Sequence, residues 1–187
     1  MKRAILISIK PKWVADILTG RKTIEVRKTA PKCDLPIDVY IYETRDEEPL
    51  VFDLSYEKDM DILDKVCNSR GKIVAKFTLN KVEKICFNNA SWESDFTPPM
   101  EIMDKACLTH NEIENYLNGT GYAWHISDLQ IFDKPKNLDD DEFHKIGFDK
   151  YYWSDHSHEG YLQWANTLAD LIVHKAPQSW QYVEVEE

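Results

Sequence analysis

No apolar run in this chain of 187 residues approaches the ~20 residues needed to cross a bilayer. The earliest, Ala4 to Ile9 in MKRAILISIKPK, ends at Lys10 after six residues. Charge precedes it, but it has neither the length of a signal-peptide core nor a small-residue cleavage site behind it. Neither secretion nor membrane attachment is expected, and a cytoplasmic setting is. Cysteine is sparse as well. Cys33, Cys67, Cys86 and Cys107 include no CxxC pair, and their wide, uneven gaps fit neither a zinc site nor a compact disulfide framework. Reduced thiols are expected, with no metal and no cofactor. Internal repeats and low-complexity linkers are also missing, so the length suits one domain over residues 1–187.

What remains is a globular profile: 43% hydrophobic, 12% aromatic and 30% charged residues, enough apolar side chains to build a core and too many for a disordered chain. The formal net charge is -10, yet its distribution is lopsided. Residues 1–32 carry nine Lys or Arg against Asp16 and Glu25, a balance of +7, and the other 155 residues carry 14 basic and 31 acidic ones, a balance of -17. Such asymmetry points to an electrostatic contact surface confined to one region. The alternative is that these cations only solubilise an early helix and strand. The acidity of the whole counts against a long duplex, which wants a broad basic face.

Patterning supplies the elements. Ala4 to Ile9 predicts a buried strand, and Pro11 suits the first turn of a helix carrying Trp13, Val14, Ile17 and Leu18, closed by Gly20. Thr23 to Arg27 alternates and predicts a half-buried strand. Further strands are expected at Ile37 to Tyr42, at Lys72 to Leu79 continuing through Val82 to Cys86, at Gly121 to Phe132 and at Gln178 to Val185. Helices are expected around Glu57 to Val66, after Thr109 (a capping box with Glu112) and over Tyr161 to His174. Asn88, Asn89, Trp92 and the Pro98-Pro99 pair read as a loop. The sum is an α+β chain of six or seven strands with short helices, a small mixed β-barrel.

The densest chemistry lies in GRKTIEVRK, residues 20–28, where Arg21, Lys22, Arg27 and Lys28 surround the single carboxylate Glu25. If Ile24 and Val26 hold the strand to the core, Glu25 and Arg27 project together from its other face, with Lys22 at the strand's entrance. An ordinary surface ion pair, worth ~0–1 kcal/mol, is the alternative.

Gly20, Lys22, Glu25 and Arg27 have the form GxKxxExR, which resembles the signature of the ASCH domain, a branch of the PUA-like superfamily found in bacterial and phage proteins. The flanking apolar strand, the helix ending ILTG, and the later GKIV, YAWHIS and SWQYVEV are similar too, so the resemblance covers roughly residues 3–135 and 176–185. It implies a PUA-like small mixed β-barrel with a cleft beside the first helix, with residues 139–174 as a helical insertion or extension near the C-terminus. It also implies binding of RNA or a modified nucleotide. Some small bacterial members are amidohydrolases that deacetylate N4-acetylcytidine with a lysine, at the position of Lys22, and a threonine nucleophile. Glu25 stands here in that threonine's place, and carboxylates rarely replace a hydroxyl in acyl transfer. A water activated by Glu25 is the general-base version. Glu101 and Glu112 are the candidates for those enzymes' further glutamate.

The nucleotide-binding candidates are therefore Lys22, Glu25 and Arg27, with Arg21 and Lys12 as neighbouring cations for phosphate. Trp13, Tyr42, Trp124 and His125 are candidates to stack on or line a base, each with core packing as its alternative. The run Asp155, His156, His158, Glu159 lacks the spacing of a catalytic zinc motif, so no metal is expected there; Asp139 to Glu142 reads as a solvated acidic turn. The aromatic residues of 151–164 suit core packing, a cap on the cleft or a protein-binding face. Three readings stay open: an RNA or modified-nucleotide binder, an amidohydrolase-like enzyme with Lys22 and Glu25 as acid–base groups, and an acidic protein-interaction module.

Overall fold

The structure is a computed structural model, and it describes residues 1–46, 60–86, 99–139, 142–146 and 171–186. The elements are β1 (Lys2–Ile9), α1 (Pro11–Leu18), β2 (Ile24–Arg27), β3 (Ile37–Glu43), α2 (Met60–Cys67), β4 (Ile73–Cys86), α3 (Pro99–Ala106), α4 (His110–Leu117), β5 (Thr120–Lys136), β6 (Phe143–His144) and β7 (Trp180–Val185). One seven-stranded sheet takes them in the order β2-β5-β4-β3-β1-β7-β6.

β1 sits inside this sheet, parallel to β3 and antiparallel to β7. Both its faces are covered, which is why AILISI is continuously apolar rather than alternating. Ile5, Ile7 and Ile9 enter one core with Val14, Ala15, Ile17 and Leu18 of α1. Ala4 and Leu6 enter a second, on the other face, with Tyr40, Tyr42, Phe143 and Val183. A third cluster packs Ile24 and Val26 of β2 against Ile102, Ala106, Ile113 and Leu117 of the α3–α4 pair. As the sequence predicts, Pro11 opens α1, and Gly20 follows its cap with φ +76°. α4 begins with the capping box of Thr109 and Glu112.

The chain has the expected α+β, PUA-like fold, but the sheet is not a closed barrel. Its edges, β2 and β6, do not pair with each other. The sheet curls instead until β5 meets β7 through side chains: Trp124 and Trp180 lie edge to face at 5.4 Å. Trp180 Nε1 also donates to Thr29 Oγ1 at 3.0 Å, holding the loop after β2. β2 has only four residues, so side chains rather than a ladder span the gap between it and β1.

Other differences are local. The strand expected from Lys72 to Leu79 and on through Cys86 forms as one element of 14 residues; what differs is that register shifts against β5 bend it. α3 lies where only a loop was expected over Pro98-Pro99; among the described residues of PMEIMDKA only Ile102 and Ala106 are fully buried, with Met103 packed beside them. β6 was also not expected, and Ile172, read as helical, forms a bridge to His144. The rest of the expected helix (161–170), the Trp92 loop and the DHSHEG run lie outside the described residues. No described helix is long and apolar enough to cross a membrane.

Candidate functional site

The break between β2 and β1 opens into a cleft of about 750 Å³. Lys22, Glu25, Val26 and Arg27 form its floor, and α1, α4 and the residue before the α4 cap bring Trp13, Glu112, Tyr116 and Leu108 to one wall. The opposite wall joins three distant stretches: Ser8 to Lys10 after β1, Thr44 to Asp46 after β3, and Gln178 with Ser179 before β7. Ser8 Oγ donates to Pro177 O at 2.6 Å, and Ser8 N to Ser179 O at 2.9 Å, which ties the first of these stretches to the last.

The floor is a chain of charges. Lys22 Nζ lies 3.3 Å from Glu25 Oε2, and Arg27 Nη2 lies 3.0 Å from Glu25 Oε1. Lys22 is only 2% exposed, and Glu25 and Arg27 are 7% exposed, so this is not the surface pair of the alternative reading. Such burial is costly unless each polar atom finds a partner. Lys22 Nζ also donates to Ala106 O at 2.7 Å, satisfying a terminal carbonyl of α3, and Thr23 N donates to Lys105 O beside it. Arg27 Nη2 donates to Ser8 O at 2.8 Å, closing the gap to β1. Arg27 Nε has no partner among the described residues.

Around this floor the charges do not cancel. Among the described residues, Lys10, Lys22, Arg27 and Arg45 border the cleft with Glu25, Asp46 and Glu112, an excess of one positive charge. Glu112 is held below the usual carboxylate range by the Thr109 amide and hydroxyl, which donate to it. Two further cations lie on the aromatic walls: Lys12 Nζ is 4.2 Å from the centre of the Trp13 ring, and Lys28 Nζ 5.3 Å from that of Tyr116.

Of the residues singled out in the sequence, Lys22, Glu25, Arg27 and Trp13 meet at the cleft. The predicted alternation holds, with Ile24 and Val26 turned to α3 and α4, but β2 is buried on both faces rather than half-buried. Lys12 stands beside the wall, bridging to Glu112 at 3.9 Å. Arg21 pairs with Asp16 at 3.0 Å and does not border the cleft. Trp124 is fully buried in the core, where its Nε1 donates to Thr29 O, and it cannot stack on a ligand. Tyr42 packs in the second core on the far side of β3. His125 faces away from Trp124 and bonds Glu83 at 2.7 Å; Glu83, hydrogen-bonded by Lys81 and by His125, has its pKa lowered to about 2. Glu101 is exposed and pairs with Lys105, whereas Glu112 lines the cleft. No local signal marks Tyr116, Arg45 or Ser179: Ser179 meets Arg27 across 152 positions of sequence.

The ASCH domain model matches residues 7–136, more than half of the chain. Among solved structures, the chain is similar to ASCH from Zymomonas mobilis, at 18% identity and a TM-score of 0.53 over 96% of this chain and 86% of that one. A serine-to-alanine mutant of the Zymomonas mobilis protein gives 16% identity and a TM-score of 0.54 over 96% and 87%. Its tyrosine-to-phenylalanine mutant gives 17% and 0.50 over 88% and 98%. No curated protein matches the chain. The matched span runs from β1 to the end of β5 and so contains the strand that floors the cleft: the chain belongs to the ASCH domain family.

Proposed function

We propose that this protein binds a nucleotide, or a few nucleotides of single-stranded RNA, in the cleft built on Lys22, Glu25 and Arg27. The observation that carries this reading is an aromatic-walled cleft whose described lining residues sum to a positive charge, on a chain of net charge -10. Its volume suits a small ligand, since such sites commonly measure about 300–1,000 Å³. Trp13 and Tyr116 offer ring faces, and Lys10, Lys12, Lys28 and Arg45 offer charge near the rim for phosphate. The acidity of the remaining surface favours a short or small ligand over a duplex. The whole of 1–187 is read as one ASCH domain with residues 139–174 inserted before β7, which supplies a strand of the sheet from beyond the matched span.

The test is a binding titration of wild type and Lys22→Ala against short single-stranded RNA and modified cytidines at low and moderate salt. Binding that weakens with salt and collapses in a variant that is still folded supports the reading. No binding by folded protein rejects it. Product analysis on the same samples addresses the amidohydrolase reading. That reading gains little from Glu25, both of whose oxygens already face cations, and Thr23 does not border the cleft; the serines and threonines that do, among the described residues, are Ser8, Thr44 and Ser179.

A further inference from the structure

Three consecutive residues of β2, Glu25, Val26 and Arg27, border the cleft. Side chains alternate along a strand, and that of Val26 packs away from its neighbours', in the apolar cluster with Ile113 and Leu117. Val26 therefore meets the cleft along the edge of the strand, with its main chain. The pairing with β5 fixes which way that main chain points. Ile126 N donates to Thr23 O, and Glu25 stands opposite Trp124. In an antiparallel pair the bonded positions recur at every second residue, so the Thr23 carbonyl and the main-chain groups of Glu25 and Arg27 turn toward β5, the Thr23 N–H going to Lys105 O instead. The N–H and C=O of Val26 point outward, where no main-chain group of the described residues bonds them.

Val26 is 3% exposed, and buried main-chain polar groups are paired in roughly 90% or more of cases. The charged groups below offer little alternative for reading a ligand. Both Glu25 oxygens, Arg27 Nη2 and Lys22 Nζ already hold protein partners. We propose that the Val26 main chain recognises the ligand: its N–H and C=O pair with an adjacent acceptor and donor on the Watson–Crick edge of a nucleobase, with Trp13 and Tyr116 as the walls beside the ring. This rests on the nucleotide reading given above. A peptide strand also pairs with sheet edges, but it needs several alternate residues. β2 has four residues and brings a single outward-facing one to the cleft, which suits a planar heterocycle.

The experiment uses full-length protein labelled with ¹⁵N-valine. It is titrated with each of the four nucleoside 5′-monophosphates, with their counterparts methylated on the ring nitrogen of the Watson–Crick edge, and with a single-stranded RNA of four nucleotides. The expected result is that at least one unmodified monophosphate moves the Val26 amide resonance and slows its hydrogen exchange, while its methylated counterpart binds at least ~10-fold more weakly. Equal binding of the two, or binding that leaves the Val26 amide unmoved, overturns the proposal and leaves the cleft assignment standing. Failure of every monophosphate and of the RNA to perturb a folded protein removes the nucleotide reading and this proposal with it.

Discussion

Glu43, at the end of β3, is fully buried, and neither of its carboxyl oxygens has a hydrogen-bond partner among the described residues. Burial pushes its pKa from 4.5 to about 8, and the Arg70 guanidinium offsets only part of that rise. Between those two values the folded chain keeps a proton that the unfolded chain has released. The folded state therefore loses ground as pH rises. At ~1.36 kcal/mol per pKa unit, the loss from pH 5 to pH 7 is about 2.5 kcal/mol, and it levels off above pH 8 near roughly 5 kcal/mol. Glu43→Gln keeps the shape and removes the titration. Urea unfolding of both proteins at pH 5, 6, 7 and 8 isolates this one group, because every other carboxylate and histidine is shared and drops out of the difference. The stability of the variant relative to wild type should rise by about 2–3 kcal/mol between pH 5 and pH 7. In melting temperature that is ~5–10 °C for a chain of this size. Parallel pH profiles for the two proteins would refute the reasoning, since they would mean that Glu43 is ionised in the folded state or already hydrated there.

Two further substitutions probe the walls and floor of the cleft. Lys22→Met leaves Glu25 with Arg27 alone and removes the donor to Ala106 O; it should destabilise by about 3–5 kcal/mol in urea unfolding, as breaking a buried charge network does, and a cost below ~1 kcal/mol would place Lys22 in water. Gly71 has φ +80°, and a Cβ there would lie 2.5 Å from Arg45 Nε. Gly71→Ala should cost about 1–2 kcal/mol for the left-handed backbone alone. It should also push Arg45 out of the cleft wall, lowering the salt dependence of RNA binding by about one ion; an unchanged salt slope would show that Arg45 does not meet the phosphate.

Much of the fold could be read along the chain wherever one local rule sufficed. The continuous apolar run of β1, the proline and glycine that bracket α1, and the Thr109–Glu112 box depend on neighbours a few positions away. α3 and β6 lacked such rules: α3 is held mainly by Ile102 and Ala106 against β2, and β6 is two residues long and exists only by pairing with β7. The candidate site divides the same way. Alternation put Glu25 and Arg27 on one face, but the same alternation could not say whether that face was wet.

The sequence by itself determined the motif strand, the proximity of Lys22, Glu25 and Arg27, and the concentration of cations in the first 32 residues, since spacing along a strand is set by backbone geometry. Only the tertiary structure decided that these charges are buried, that the barrel is left open at β2, and that the opening becomes a cleft. It also decided which aromatics face it, admitting Trp13 and Tyr116 and burying Trp124. The physical reason is that the cleft is a gap between strands far apart in the chain, bridged by Arg27 reaching Ser8 and Ser179. A gap of that kind follows from how the whole sheet curls, which no short stretch of residues encodes.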